Sequence, residues 1–208
     1  MPAILKVLEK SYPKAACTLR FSNPLELLIA TILSAQCTDK LVNKVTPDLF
    51  KKYKKAADYA RAKPKNLEKE LAQVNFYRNK ARSIQKACQT IVEKFGGDVP
   101  GRMEDLLQLS GVARKTANVV LGNAFGVQAG VVVDTHVMRL SARLNLSKQK
   151  DREKIEQDLM KLVPAKLWTR FGHQMILHGR SVCTAKNPQC SLCPIGEALC
   201  PSYGIKTD

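Results

Sequence analysis

Long apolar runs are missing from this chain of 208 residues. The longest nearly apolar stretch, residues 25–33, is nine residues long and contains Glu26, well short of the ~20 that span a bilayer. A transmembrane helix and a membrane partner are thereby excluded. The opening Met1-Pro2-Ala3-Ile4-Leu5-Lys6 lacks the basic-then-apolar layout of a secretory signal, so a cytosolic protein is expected. Strand signals are almost as scarce. Val131-Val132-Val133 is the β-branched run on offer, and it is too short to build a sheet. Internal repeats and flexible linkers are absent. Acidic residues are few, 18 against 34 Lys+Arg, leaving a formal net charge of +16. Such a surplus on a small protein points to a polyanionic partner, most often nucleic acid. The seven cysteines are an odd number, which argues against a closed set of disulfides.

What is present is helical periodicity. Hydrophobic residues make up 45% of the chain, enough for one large or two small domains, and charge is mixed through the apolar stretches, unlike in disordered chains. Asn23-Pro24-Leu25-Glu26 reads as an N-cap, a proline at the first helical position and a glutamate three residues past the cap. Leu25, Leu28, Ile29, Ile32, Leu33 and Gln36 then follow at the spacing of one helix face. Ile84, Cys88, Ile91, Val92 and Phe95 form a second face, closed by Gly96-Gly97. Ile155, Leu159, Leu162 and Val163 form a third, stopped by Pro164. Cys88 on its apolar stripe reads as a packing residue. Lys51-Lys52-Tyr53-Lys54-Lys55, the densest basic run, reads as a solvated helix face or a phosphate contact. The fold class is all-α.

Leu109-Ser110-Gly111-Val112-Ala113-Arg114-Lys115-Thr116-Ala117 lies between helical segments at 103–108 and 114–125. A glycine turn there leaves the first N–H groups of the second helix pointing outward, where donors and dipole together attract a phosphate without reading sequence. Lys115 adds chemistry. An unperturbed lysine of pKa ~10.4 is neutral about 0.04% of the time at pH 7. The positive end of a helix dipole, neighbouring Arg114, and burial would each raise the neutral, nucleophilic fraction. In a basic protein the plain alternative is a phosphate contact.

Val133-Asp134-Thr135-His136 supplies a carboxylate. Ten helical steps from Lys115 to Phe125 advance ~15 Å, and seven extended steps from Val127 to Asp134 cover ~23 Å, so the chain can return Asp134 toward Lys115. Asp134 also precedes a helix carrying Val137, Leu140, Ser141 and Leu144, which makes it equally an N-cap. Cys183-x6-Cys190-x2-Cys193-x6-Cys200 gathers four thiols within 18 residues. Zinc and an iron–sulfur cluster are the usual occupants of such a set. Zinc sites more often carry two Cys-x2-Cys knuckles, and disulfides are disfavoured in a reducing cytosol.

Together, residues 109–120, Val-Asp-Thr-His at 133–136, Leu-Leu-Ile-Ala-Thr-Ile-Leu-Ser-Ala-Gln at 27–36 and the cysteine stretch resemble the endonuclease III family, bifunctional DNA glycosylases of the helix-hairpin-helix superfamily. The resemblance runs from about Phe21 to Cys200. It implies a six-helix barrel domain at 17–128 with the helix-hairpin-helix at about 103–122. It also implies a second helical domain, from 1–16 plus 129–208, with a 4Fe–4S cluster loop at 183–200. Lys115 matches the family's nucleophile and Asp134 its essential carboxylate. Gln36 and Phe76 match residues inserted into the duplex, with a buried-core position as the alternative for Phe76. Gly111, Ala113 and Arg114 fall where the hairpin meets the DNA backbone, and Cys183, Cys190, Cys193 and Cys200 match the cluster ligands. Lys186 and the loop after Cys183 would present charge to DNA.

The implied function is base excision repair, with removal of oxidised or ring-saturated pyrimidines from duplex DNA through a lysine Schiff base. β-Elimination 3′ to the abasic site follows, performed by a monomer associated with the nucleoid. Adenine-removing relatives lack the hairpin lysine and carry a catalytic glutamate in the helix corresponding to 24–36, where this chain has only Glu26. Three departures from the family pattern stand out: Ser110 replaces a usual proline, Ala113 a usual glycine, and six residues rather than five precede Cys200. A glycine requirement at 113 would strain the hairpin, and a bulge near Gly196 would absorb the extra residue. The competing reading is a non-catalytic DNA-binding or redox-sensing iron–sulfur protein on the same scaffold.

Overall fold

The computed structural model describes residues 1–204, and eleven α-helices with short connections form its architecture. In chain order the first six are α1 (Pro2–Ser11), α2 (Pro24–Ser34), α3 (Asp39–Lys52), α4 (Ala56–Arg61), α5 (Pro64–Glu70) and α6 (Tyr77–Lys94). They are followed by α7 (Met103–Leu106), α8 (Arg114–Ala124), α9 (Thr135–Arg143), α10 (Arg152–Leu162) and α11 (Trp168–Ser181). No strand occurs among the described residues, and no helix of the structure is long and apolar enough to cross a membrane. The chain divides into two compact units, Thr18–Val127 and a second made of Met1–Cys17 with the chain from Gln128 onward.

The Thr18–Val127 unit is built on α2. Asn23 caps it by accepting from the Glu26 N–H at 3.0 Å, and Glu26 Oε2 reaches back to the N–H and hydroxyl of Ser22. The seven consecutive residues from Leu27 to Leu33 are all buried. A helix covered on every side sits at the centre of a bundle, and α8, α3 and α6 pack around this one. The sequence periodicity marks one face only, because the run is too short and too uniformly apolar to resolve a polar side. The helix also ends earlier than its spacing suggests. It stops at Ser34, and Gln36 lies beyond it with φ +52°.

Helix α6 carries Ile84, Cys88 and Ile91 inward as expected, and the Gly97 N–H closes its end on the Ile91 carbonyl. Val92 does not join that stripe and is exposed. The basic run at 51–55 is a solvated segment around a buried Tyr53, with Lys51 paired to Asp48 and Lys52 to Glu70.

In the other unit, α1, α9, α10 and α11 enclose a core of Ile4, Leu8, Val131, Val133, Val137, Leu140, Ile155, Leu159, Phe171 and Met175. The valine run is buried without pairing as a strand. Helix α11 approaches it through Gly172, where an added Cβ would stand 3.6 Å from the Val132 backbone nitrogen. Leu162, at the end of α10, is exposed instead of facing this core.

Candidate active site

Helix α7 ends at Leu106, two residues before the expected boundary, and the chain enters a turn in which the Val112 N–H bonds the Leu109 carbonyl at 3.1 Å. Gly111, the third residue of that turn, has φ +79°, the value that a type II turn demands there and that glycine meets without cost. Leu109 and Val112 are buried and anchor the turn from both sides. Ala113 then adopts φ −94° and ψ 170° and serves as the N-cap of α8 with no side-chain cap bond. The glycine-like backbone considered for this position is not used, so alanine fits unstrained. Ser110 likewise occupies a turn position without a special requirement for proline.

The uncapped start of α8 presents its first N–H groups together with the positive end of the helix dipole. Arg114 is half-buried, and Lys115, at the second helical position, is exposed. Burial therefore plays no part in setting the Lys115 environment. The helix start and Arg114 provide the local field.

Asp134 is the N-cap of α9. Both cap bonds converge on one atom, Oδ1, which accepts from His136 N at 2.8 Å and Val137 N at 2.9 Å. Its Oδ2 takes no part in the cap. His136 contributes locally, its Nδ1 lying 3.3 Å from an Arg139 guanidinium nitrogen. Lys115 and Asp134 are carried by different units.

Gln36 and Phe76 are both exposed, and both have left-handed backbones, φ +52° and +57°. Phe76 is 61% exposed, which removes the core alternative. The Asn75 side-chain amide donates to the Gln36 carbonyl at 2.9 Å, so the two loops meet.

The four C-terminal cysteines line one pocket, walled by Leu140, Leu144, Val182, Ile195 and Tyr203. They fit a multi-atom cluster better than a single ion. Among the described residues no three His, Cys, Asp or Glu side chains converge tightly enough to hold one metal. Donors also face the sulfurs. Arg143 Nη1 lies 3.2 Å from Cys183 Sγ, and His178 Nε2 lies 3.7 Å from Cys193 Sγ. Burial pushes the His178 imidazole down to about 4, so it is neutral, and its Nδ1 meets the Tyr12 hydroxyl at 2.9 Å. With a thiolate at Cys193, Nε2 carries the proton and Tyr12 donates to Nδ1. Gly196, between Cys193 and Cys200, has φ +69° with nothing within 4 Å of where a Cβ would stand.

Sequence reasoning did not single out Arg139, Arg143, His178, Tyr12, Asn75 or Lys80. A signal existed for three of these. Arg139 and Arg143 stand one helical turn apart on α9, and both guanidinium groups bond the Cys183–Ala185 backbone. Lys80 shares the stripe of Ile84 and Cys88, an unusual place for an ammonium.

Residues 29–165 match the HhH-GPD superfamily base excision DNA repair protein family, and residues 183–200 match the iron-sulfur binding domain of endonuclease III. The endonuclease III of Synechocystis sp. is 55% identical over 199 residues, covering 96% of this chain and 90% of that protein. The chain belongs to the endonuclease III family. The Escherichia coli endonuclease III is 40% identical across 99% of the chain and 96% of its own length. A solved non-covalent endonuclease III–DNA complex superposes with a TM-score of 0.91 at 46% identity, covering 97% of this chain and 94% of that one. A trapped endonuclease III–DNA covalent intermediate gives 0.90 at 46% identity, with 96% and 93% covered. As a member of this family the chain is a base excision DNA glycosylase with AP lyase activity, and its cofactor is a 4Fe–4S cluster. The non-catalytic alternative is set aside.

Proposed function

We propose that Lys115 is the nucleophile of this endonuclease III family enzyme and that its substrates are duplex DNAs bearing oxidised or ring-saturated pyrimidines or abasic sites. The observation that carries this reading is the hairpin itself. It places an exposed lysine amine at the second residue of an uncapped helix start, one turn of chain after Gly111. Backbone N–H groups and the Arg114 side chain hold a phosphate there, which brings the amine beside the deoxyribose attached to that phosphate.

The damaged nucleotide is first swung out of the stack at a cost of a few kcal/mol, least for a damaged base. Gln36 and Phe76 enter the duplex where it leaves. The neutral Lys115 amine forms a bond to C1′ as the glycosidic bond breaks, and the base departs with the bonding pair and takes up a proton. Opening of the sugar ring gives the protonated Schiff base, which acidifies the C2′ hydrogen. Loss of that proton expels the 3′ phosphate, and the strand breaks by β-elimination. Asp134, whose Oδ2 is not used by the α9 cap, is the carboxylate assigned to stabilising the positive charge that builds on the sugar. Cys183, Cys190, Cys193 and Cys200 hold the cluster, which supplies structural closure of their loop. The enzyme acts as a monomer at the nucleoid.

Glu26 supports the pyrimidine class over adenine. Its carboxylate is spent on the N–H and hydroxyl of Ser22 at the start of α2, so the helix offers no free acid of the kind adenine-removing relatives use.

Borohydride reduction during turnover tests the assignment. The wild type is expected to give a covalent protein–DNA adduct with a thymine-glycol duplex. Lys115→Gln and Lys115→Arg should give none, although Lys115→Arg retains DNA binding. Adduct formation at wild-type yield in either variant overturns the nucleophile assignment, and equal adduct yield from an adenine mispair overturns the substrate class.

A further inference from the structure

Four non-glycine residues among those described have positive φ, and two are asparagines, which tolerate that region. The other two are Gln36 and Phe76. Neither side chain has a local hydrogen bond to its own backbone that would favour a left-handed conformation, so something outside each residue must hold it.

The structure supplies the holder. Lys80 lies in the second turn of α6 and is 6% exposed. Its ammonium donates to the Leu33 carbonyl at 2.7 Å and the Ala35 carbonyl at 2.6 Å. Those are terminal carbonyls of α2, which have no partner within their own helix and stand at its negative end. The Lys80 backbone N–H bonds the Phe76 carbonyl at 3.1 Å. The side chain therefore grips the chain immediately before Gln36, the backbone N–H makes the first helical bond of α6 to Phe76, and Asn75 adds the bond to the Gln36 carbonyl. Burial lowers the Lys80 pKa, and the two carbonyl bonds are what its ammonium receives in exchange for water.

We propose that Lys80 is a positioning residue that presets Gln36 and Phe76 together, so that both enter the duplex as one rigid element. This rests on the reading of Gln36 and Phe76 as the duplex-inserting residues. Without the Lys80 bonds, the Ala35–Gln36 backbone relaxes toward common conformations and Asn75 loses a fixed partner. Insertion then has to order two loops while it displaces a base. Steps that need no insertion are left alone.

The experiment places 2-aminopurine next to the lesion in a duplex, where unstacking raises its fluorescence, and compares it with borohydride trapping on single-stranded abasic DNA. Lys80→Met is expected to lower the rate of the fluorescence rise about tenfold or more while single-strand trapping stays near wild type. Asn75→Ala, at an exposed position, should show the same pattern more weakly, and it carries the test if Lys80→Met does not fold. Equal losses in both assays, or an unchanged fluorescence rise, overturn the proposal. Gln36→Ala and Phe76→Ala separate the two levels. If they leave the fluorescence unchanged, the insertion reading fails. If they lower it and the Lys80 and Asn75 variants do not, only the positioning role fails.

Discussion

A Cβ placed on Gly111 would sit 2.9 Å from the Ser83 Cβ, so the hairpin turn rests directly on α6. Two separate penalties meet at that residue. A left-handed φ of +79° costs a non-glycine residue about 1–2 kcal/mol, and the collision adds an overpacking cost of about 1–3 kcal/mol. Gly111→Ala should therefore lower stability in a denaturant titration by the sum. Ser83→Gly in the same chain should recover the collision and leave the backbone cost. Full recovery would mean that the turn does not need its left-handed residue.

The donors facing the cysteine sulfurs should set the cluster potential. Hydrogen bonds and positive charge near thiolate ligands favour the reduced, more negative state. His178→Leu removes the N–H near Cys193 Sγ, and Arg143→Met removes the guanidinium 3.2 Å from Cys183 Sγ. Both should shift the potential negative, Arg143→Met by more, and Tyr12→Phe should shift it the same way by less. Voltammetry of samples with matched iron content and absorption near 410 nm measures this. An unmoved potential in all three would show that these donors serve packing alone.

Cys88 should be inert in the native protein. Burial pushes its thiol up to about 12 from 9.0, which leaves about a thousandfold less thiolate than an ordinary cysteine at the same pH. Iodoacetamide followed by mass spectrometry should find Cys88 unmodified until the protein unfolds. The same shift gives a pH dependence. A folded pKa above the unfolded one supplies stability that is complete below about 9 and declines as pH rises through the folded value. Buried Tyr59, whose pKa is also raised, adds to that alkaline slope. Cys88→Ala should flatten the slope between pH 9 and 11 without abolishing it.

Features fixed by neighbouring residues were legible in the sequence. The Asn23 cap with Pro24, the glycine turn before α8, and the Asp134 cap all depend on contacts within four residues, and each stands where the motif predicts. Periodicity alone went further than the backbone does. It carried α2 through to Gln36, although the helix stops at Ser34, where Lys80 from another helix bonds the terminal carbonyls. It also placed Val92 and Leu162 on buried stripes. Both sit at the edge of a real stripe, and which edge faces water is decided by the packed partner, not by spacing. The valine run at 131–133 is buried as its composition suggests, yet its partner is the Gly172 face of α11 rather than a strand. For the site, the motif residues were readable and their supports were not. Tyr12, His178 and Arg143 reach the cysteines from distant parts of the chain, and although Lys80 falls on an apolar stripe, its spacing does not point to the end of α2 that it bonds.

At Asp134, architecture and electrostatics occupy separate atoms of one side chain. Since a lone oxygen winds the opening of α9, an isosteric amide at this position would leave that winding in place and extinguish only the negative charge. The scaffold thus tolerates a neutral occupant there, and whatever a carboxylate contributes beyond helix initiation can be isolated by a single-atom change.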